Sequence, residues 1–248
     1  MNIKKFSFYL IILTLVLGFS SSCNMNKQWS NSTPGFSSGY VEKGTDYQFE
    51  IVDDAIRLIS HKYDNEREII VPETIAEKPV EIIGENTFYH HKRTTSILLP
   101  ENLTIIEGSP FYRCYSLMQI TIPKNVKSIE ANPFFRCSNL LRIIVDPQNN
   151  DYSDIDGVLF NKEQTVLISY PEGNERKSYT VPSSVTQLNI DSFGYHTKLN
   201  RLTILSNVSY FPEGNMFVFP DDICLVVESE SSAEEYAVKH NLKYEIIE

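Results

Sequence analysis

The feature that most constrains this chain is a pattern of apolar residues that recurs every 23 residues. The first full copy comprises Pro100, Leu103, Ile106, Phe111, Cys114, Leu117, Ile120 and Ile122. The second copy comprises Pro123, Val126, Ile129, Phe134, Cys137, Leu140, Ile143 and Val145. A unit this short cannot bury its apolar side alone, so successive copies must stack on one another.

The same register continues in both directions along the chain. The upstream copy comprises Ile83, Phe88, His91, Thr94, Ile97 and Leu99, and its opening at Pro72 and Ile75 is separated from Ile83 by five extra residues. The downstream copy comprises Pro182, Val185, Leu188, Phe193, His196, Leu199, Leu202 and Ile204. A weaker last copy comprises Val208, Phe211, Met216, Leu225 and Val227. We therefore expect about five stacked turns.

Each copy ends in a segment with the alternation of a β-strand. Ile120 and Ile122 should point inward and Thr121 outward, and the following proline, which has no N–H to donate, should end the strand. The phenylalanines Phe111, Phe134 and Phe193 recur at one offset. We expect them to form an aromatic column inside the stack, with Phe88 at its start.

This pattern resembles the BspA-like leucine-rich repeat family of bacterial surface proteins, whose units of about 23 residues carry Ile, Phe, Cys and Leu at these offsets. The resemblance extends from Tyr47 to the end of the chain. It implies a β-rich repeat solenoid with parallel strands. It also implies a binding protein of the adhesion type rather than an enzyme.

The N-terminal residues are typical of a targeting segment. Lys4 and Lys5 precede an apolar stretch from Phe6 to Phe19 that is short for a membrane span, and small residues precede Cys23. We interpret residues 1–22 as a signal peptide that resembles those of bacterial lipoproteins, with Cys23 as the lipidated residue, although Ser20 stands where a leucine is common. Plain secretion and an uncleaved anchor are the alternatives. Residues 23–44, rich in Asn, Ser and Gly, predict a flexible tether.

The remaining chain divides into a cap and a solenoid. Residues 45–71 predict a cap hairpin with a turn at Asp53 and Asp54, and residues 72–248 predict the repeat solenoid. Residues 146–180 interrupt the repeat, and we expect a hairpin insertion there. Residues 229–248 predict a C-terminal cap with a short helix, opened by a capping box of Ser232 and Glu235.

No motif in the sequence indicates catalysis, a cofactor or a metal. Asp154, Asp156, Gly157 and Glu163 match part of a calcium loop, but Tyr152 stands where its first acid is required, so a tight turn is the preferred interpretation. The repeat itself accounts for His91 and His196, which lie at the cysteine offset. Cys114 and Cys137 should lie on neighbouring turns within disulfide reach. Buried free thiols are the interpretation we favour.

Charge limits the classes of partner. The chain has 22 Lys and Arg against 32 Asp and Glu, a net charge of −10. Nucleic acid is therefore not an expected partner, and contact with a membrane should occur through the lipid anchor only. We expect a protein partner, from a host or a neighbouring cell, or a glycan.

The predicted binding surface is the outward row of the strands in successive turns. Its residues are Ser96, Leu98, Gln119, Thr121, Arg142, Ile144, Arg201 and Thr203. An alternative is that these β-branched and polar residues serve only strand pairing. The predicted function is a lipid-anchored binding protein at the outer membrane or cell surface. Glycan capture for nutrient uptake and a periplasmic scaffold are the alternatives.

Overall fold

The computed structural model describes residues 45–194, 198–213 and 223–247. These residues form strands paired between successive turns and one short helix. In chain order the elements are β1 (Tyr47–Val52), β2 (Ala55–His61), β3 (Glu68–Ile70), β4 (Thr74–Ile75), β5 (Lys78–Ile83), β6 (Ser96–Leu98), β7 (Ile105–Ile106), β8 (Gln119–Ile122), β9 (Ser128–Ile129), β10 (Arg142–Val145), β11 (Tyr152–Ile155), β12 (Val158–Asn161), β13 (Val166–Ser169), β14 (Ser178–Thr180), β15 (Gln187–Leu188), β16 (Arg201–Ile204), β17 (Cys224–Glu228), α1 (Ser232–Lys239) and β18 (Lys243–Ile247).

The 23-residue period corresponds to one turn of a parallel β-solenoid. Ile106 on β7 pairs with Ile129 on β9, and Ile120 on β8 pairs with Ile143 on β10, both in parallel. Each regular turn contributes one strand to each of two parallel ladders. The described residues form about eight turns. This is more than the five expected, because the N-terminal strands, the insertion and the C-terminal strands add turns that do not carry the repeat pattern.

Short hydrogen-bonded turns at fixed offsets bend the chain at the corners of each coil. The backbone N–H of Leu103 donates to the Pro100 carbonyl, and that of Val126 to the Pro123 carbonyl. At the corner after the core phenylalanine, Cys114 N–H donates to the Phe111 carbonyl at 3.0 Å. The same sequence offset therefore gives the same turn in successive coils.

A hairpin covers the first turn, as the fold prediction requires. Strands β1 and β2 pair antiparallel, and Asp53 and Asp54 form the connection with φ of 48° and 73°. Positive φ at both central residues is the geometry of a tight two-residue hairpin turn. Tyr47 and Phe49 from β1 are buried against the core and shield its N-terminal end.

The predicted hairpin insertion is present, and it is buried on both faces. Strand β12 pairs antiparallel with β11 on one side and with β13 on the other. Three consecutive residues, Val158, Leu159 and Phe160, are fully buried. Leu159 packs into an apolar cluster that begins at Tyr47, whereas Val158 and Phe160 pack into a second cluster that ends at Leu242. The hairpin is therefore the junction of two core clusters rather than a surface elaboration.

The insertion also supplies a turn of its own. Strand β13 pairs in parallel with β15, and β14 pairs in parallel with β16. Tyr170 precedes Tyr179 on β14 by the same nine residues that separate Phe193 from Leu202 on β16. Tyr170 thus takes the core position that phenylalanine has in the regular turns.

The aromatic column is confirmed from Phe88 to Phe134, and a second aromatic stack lies in the turns that follow. The ring of Phe111 lies 5.6 Å from that of Phe88 and 5.4 Å from that of Phe134, with interplanar angles of 2° and 16°. Phe193 stacks on Tyr170, at 5.5 Å between ring centroids. The inserted turn therefore places a tyrosine between the phenylalanines that the repeat pattern aligned.

Helix α1 is confirmed, but its cap is one residue earlier than predicted. Ser231, rather than Ser232, is the N-cap, and its Oγ accepts from the Glu234 N–H at 3.2 Å. Ala233, Tyr236 and Ala237 form the buried face of the helix. Among the described residues, none of the helical structure is long and apolar enough to cross a membrane.

Candidate binding face

The outward positions on β6, β8 and β10 are exposed while their neighbours are buried. Leu98 is 58% exposed, and Ile97 beside it is only 4% exposed. Of the other predicted positions on these strands, Ile144 is half-buried and the rest are exposed; these are Ser96, Gln119, Thr121 and Arg142. Strand alternation therefore separates core from surface as the sequence indicated.

Six of the eight predicted residues lie together on this face. Gln119 pairs with Arg142 and Thr121 with Ile144 across the β8–β10 ladder. The Arg142 Nε donates to the Gln119 side-chain oxygen at 3.0 Å. Strand β6 lies beside β8, and the Met118 N–H donates to the Thr95 carbonyl at 3.3 Å. The face thus presents side chains from three successive turns.

The remaining two residues, Arg201 and Thr203, lie on a different sheet, formed by β14, β16, β17 and β18. The tip of the β11–β12 hairpin ends the first face at β10, where the Gly157 carbonyl accepts from the Ile143 N–H at 2.9 Å. A Cβ on Gly157 would lie 2.5 Å from the Arg142 Cβ, so only glycine fits this approach. The row of eight is therefore split into two groups.

The face also extends one strand further than the sequence predicted. Ile70 on β3 pairs with Leu98 and is 73% exposed. The two are 28 residues apart rather than 23, because five extra residues separate the first turn from the next, and this shift hid Ile70 from the repeat alignment. Ile70, Leu98, Thr121 and Ile144 together form what we call the strand face.

A second surface feature, an aromatic ladder, follows the corner after the core phenylalanines. Tyr89, Tyr112 and Phe135 lie in line, with ring centroids 5.6 Å and 5.7 Å apart; Tyr112 is stacked on Phe135, and Tyr89 is tilted by 30° against Tyr112. Tyr89 is 36% exposed and the other two are half-buried. Strand alternation does not indicate this ladder, although an aromatic residue directly follows Phe88, Phe111 and Phe134 in the sequence.

Two arginine side chains lie near the middle ring of the ladder. The guanidinium carbons of Arg113 and Arg136 lie 5.1 Å and 5.9 Å from the centroid of the Tyr112 ring. A guanidinium this close to an aromatic ring gains a cation–π interaction. Burial lowers the pKa of His90 at this corner, and the positive charges of Lys92 and Arg113 lower it further. Asp64 acts in the opposite direction, but burial and these cations determine the direction of the shift in the pKa of His90.

Comparison with known families decides what kind of repeat this is. Residues 62–176 and 169–219 match the model of the BspA type leucine rich repeat region, in six copies. The chain belongs to this family. No curated protein matches the chain in sequence.

Solved structures of bacterial leucine-rich repeat proteins are similar to the chain. One from Eubacterium ventriosum is 20% identical with a TM-score of 0.51, and the alignment covers 75% of this chain and 64% of that protein. The chain thus spans less than two thirds of that protein. The leucine rich repeat protein of T. pallidum is 16% identical with a TM-score of 0.49, covering 82% of this chain and 97% of that one.

The cysteines of the BspA-type repeat are buried free thiols. Cys114 donates through sulfur to the Phe88 carbonyl at 3.2 Å, and Cys137 to the Phe111 carbonyl at 3.1 Å. Burial raises the pKa of the Cys137 thiol well above its usual value, so it stays protonated and unreactive. Cys224 is half-buried. The predicted lipidation residue, Cys23, and the repeat residue His196 lie outside the described residues.

At the first turn of the BspA-type repeat, a histidine pair takes the place of the thiol. His91, at the cysteine offset, lies with its Nε2 2.9 Å from the Nδ1 of His61 on β2. Both side chains are buried, and burial lowers the pKa of each. The pair therefore joins the cap hairpin to the first regular turn through neutral imidazoles. The repeat accounts for His91, but His61 lies outside the repeat and was not foreseen as its partner.

The acidic residues of the partial calcium motif serve the hairpin instead. Asp154 accepts from the Val145 N–H at 2.8 Å, and Asp156 pairs with Arg176 at 3.3 Å. Glu163 accepts from the Asn161 side chain at 3.2 Å. Within the described residues, no group of three or more His, Cys, Asp or Glu side chains is placed to hold a metal ion.

Proposed function

We propose that this BspA-type repeat protein is a non-enzymatic binding module of the bacterial cell surface. Its strand face contacts a partner macromolecule, in an adhesion-type role. A lipid on Cys23 anchors the mature chain to the membrane, and residues 23–44 act as the tether. Leucine-rich repeat proteins of this type are typically found outside the cell or at its surface.

The observation that carries this proposal is the exposure of paired apolar residues. Ile70 and Leu98 are Cα partners on neighbouring strands, and they are 73% and 58% exposed. An exposed apolar strip with polar residues beside it is typical of a protein interaction site. Thr121 and Ile144 extend this strip to two more strands. The strand pairing alone requires no such exposed aliphatic side chains.

A direct test changes the strip without changing the core. In the variant T121K/I144K, two outward positions gain charged side chains that should block an apolar contact. The control T180K/T203K changes two paired positions on β14 and β16, on the second sheet. The full chain and both variants are assayed against a panel of purified extracellular proteins and a glycan array.

We expect the first variant to lose at least about tenfold in affinity for any specific partner, and the control to keep it. Equal binding by all three proteins would remove the strand face as the site. Specific binding to glycans alone would favour glycan capture. Protease treatment of intact cells separates a surface location, where the chain is degraded, from a periplasmic scaffold, where it is protected.

A further inference from the structure

Basic and acidic residues are segregated within the three regular turns, and this gives one part of each of these turns a charge opposite to that of the chain. Residues 86–100, 108–122 and 131–145 contain five Lys and Arg and no Asp or Glu, whereas the whole chain has 32 acidic and 22 basic residues. The three segments are equivalent parts of successive turns and stack in register. Their positive charges therefore lie in the same part of successive turns.

The corner that holds most of these charges has a repeated backbone geometry. His90, Arg113 and Arg136 occupy the same offset in successive turns, with φ of 67°, 64° and 63°. The His90 N–H donates to the Tyr112 carbonyl, and the Arg113 N–H to the Phe135 carbonyl. These hydrogen bonds fix the spacing from which each side chain leaves the corner. We call Lys92, Arg93 and Arg113 the basic corner.

The aromatic ladder orients the guanidinium group at the centre of the basic corner. Arg113 lies 5.1 Å from the Tyr112 ring, and its terminal nitrogen donates to the Tyr89 hydroxyl at 3.5 Å. A planar guanidinium held in this way loses less conformational freedom when it binds a carboxylate through two hydrogen bonds.

Within the part of the chain that the structure describes, no ion pair neutralises Lys92, Arg93 or Arg113. By contrast, Arg57 on the cap hairpin pairs with both Glu50 and Glu107. The Nε of Arg113 is buried and has no hydrogen-bond partner. Lys92, Arg93 and Arg113 therefore keep a positive charge that an acidic partner outside the chain can pair with.

We propose that the basic corner binds an acidic polypeptide segment of a partner protein. The Tyr112 ring lies between the rings of Tyr89 and Phe135, so neither of its faces is open as a platform for a neutral sugar ring. The outer edges of the rings and the guanidinium groups stay accessible, and both can contact the carboxylates of a partner. Complementary charge steers such a partner and adds specificity to contacts made on the strand face.

The test uses the full chain and a defined acidic polypeptide, poly-L-glutamate, with poly-L-glutamine as the neutral control. The variant K92Q/R93Q/R113Q removes three positive charges from the basic corner. The matched control K124Q/K127Q/K177Q removes three charges from exposed lysines elsewhere. Because Arg113 also contacts the ladder, K92Q/R93Q is measured as well, since both of its residues are exposed.

We expect the triple corner variant to bind poly-L-glutamate about tenfold less tightly than the parent, because each exposed pair contributes up to about 1 kcal/mol. The control should change affinity by less than about twofold. Binding of the parent should weaken with salt, and poly-L-glutamine should not bind.

Equal losses in the corner variant and the control would overturn the proposal, since the binding would then reflect net charge alone. Absence of binding to poly-L-glutamate would overturn it too. Tighter binding to polygalacturonate or to single-stranded DNA, lost in the same corner variant, would assign the corner to a different class of polyanion. None of these results depends on T121K/I144K, so the strand face is tested separately.

Discussion

The two core clusters of this protein have the same coil geometry but are built from different residues. In the first, phenylalanines at one offset stack on each other and cysteines lie three residues after them, as at Phe111 and Cys114. In the inserted turn of the second cluster, Tyr170 and Gly173 occupy these offsets. The difference shows that a segment forms a coil because it stacks on a neighbouring turn, and that no particular set of residues is required.

The clusters meet at the hairpin of β12 and β13, whose residues alternate between them. Leu159 and Ile168 belong to the first cluster, whereas Phe160 and Leu167 belong to the second. In a strand, successive side chains point to opposite faces, so a strand buried on both sides belongs to two interiors at once. The hairpin therefore contributes apolar side chains to both clusters.

The largest expected effect comes from removing a ring from the middle of the regular stack. Phe111 is fully buried between Phe88 and Phe134, so F111A should lower the free energy of unfolding by about 3–5 kcal/mol. F111L, which keeps most of the apolar volume, should cost less. Urea unfolding of the full chain measures both. A loss under about 1 kcal/mol for F111A would mean that the stack does not support the first cluster.

A smaller effect is expected where the inserted turn departs from the repeat. Gly173 lies at the offset where regular turns carry cysteine, and it is very close to the preceding turn. An added Cβ would be 2.4 Å from the Asn139 carbonyl carbon and 2.7 Å from the Leu140 nitrogen. These are backbone atoms, so G173A should destabilise the protein by about 1–3 kcal/mol. C114A, at the same offset in a regular turn, gives the comparison, since it introduces no clash. Full stability of G173A would show that the two turns are interchangeable.

Removing the hydroxyl that distinguishes the inserted turn should have a modest effect. The Tyr170 hydroxyl donates to the Asn174 side-chain oxygen at 3.2 Å, and burial raises the pKa of Tyr170 to about 12, so it stays neutral. Y170F retains the ring that stacks on Phe193 and should cost about 1 kcal/mol. Thermal unfolding measures this. A loss as large as that of F111A would show that the hydroxyl, rather than the stacking, holds this turn.

The smallest effect is a pH dependence that arises from the histidine pair of the first cluster. Burial lowers the pKa of both His61 and His91. Nearby carboxylates oppose this shift; they are Glu66 and Asp46 for His61, and Asp64 and Glu66 for His91. The unfolded chain then takes up protons first as the pH falls below about 6.5, so stability is full above that value and decreases below it.

The variant H91C tests this dependence because it restores the residue that the repeat carries in later turns. It should flatten the decrease in the free energy of unfolding between about pH 7 and pH 5. An unchanged profile would mean that the histidine pair does not titrate between the folded and unfolded states. H240Q, which changes a histidine of the C-terminal helix, is the control.

The regular turns could be predicted from sequence because one pattern fixes both burial and register. The alternation at Ile120, Thr121 and Ile122 was read correctly for this reason. The inserted turn could not be recognised, because its segment Tyr170-Pro-Glu-Gly lacks the phenylalanine and the cysteine of the repeat. The place of this segment in the coil becomes clear only from the turns that lie beside it in the structure. The consecutive apolar residues Val158, Leu159 and Phe160 did signal burial on both faces, but an assignment to two clusters requires the three-dimensional structure.

The candidate sites were predictable only in part, for a related reason. Six outward positions were placed correctly because strand alternation is local. The separation of Arg201 and Thr203 from them depends on where the hairpin tip packs, at Gly157, and no repeat offset encodes that contact. The aromatic ladder lies at a corner, where neither strand nor helix periodicity applies.

Hydrogen exchange of the variants L159A and F160A tests the two-cluster account most directly. The two substituted residues are neighbours in sequence, but their side chains belong to different clusters. In L159A the amides of β8 and β10 should exchange faster while those of β16 and β17 keep their protection. F160A should show the reverse distribution. The same pattern of faster exchange across both halves in both variants would contradict the account, because the interior would then behave as a single cooperative unit.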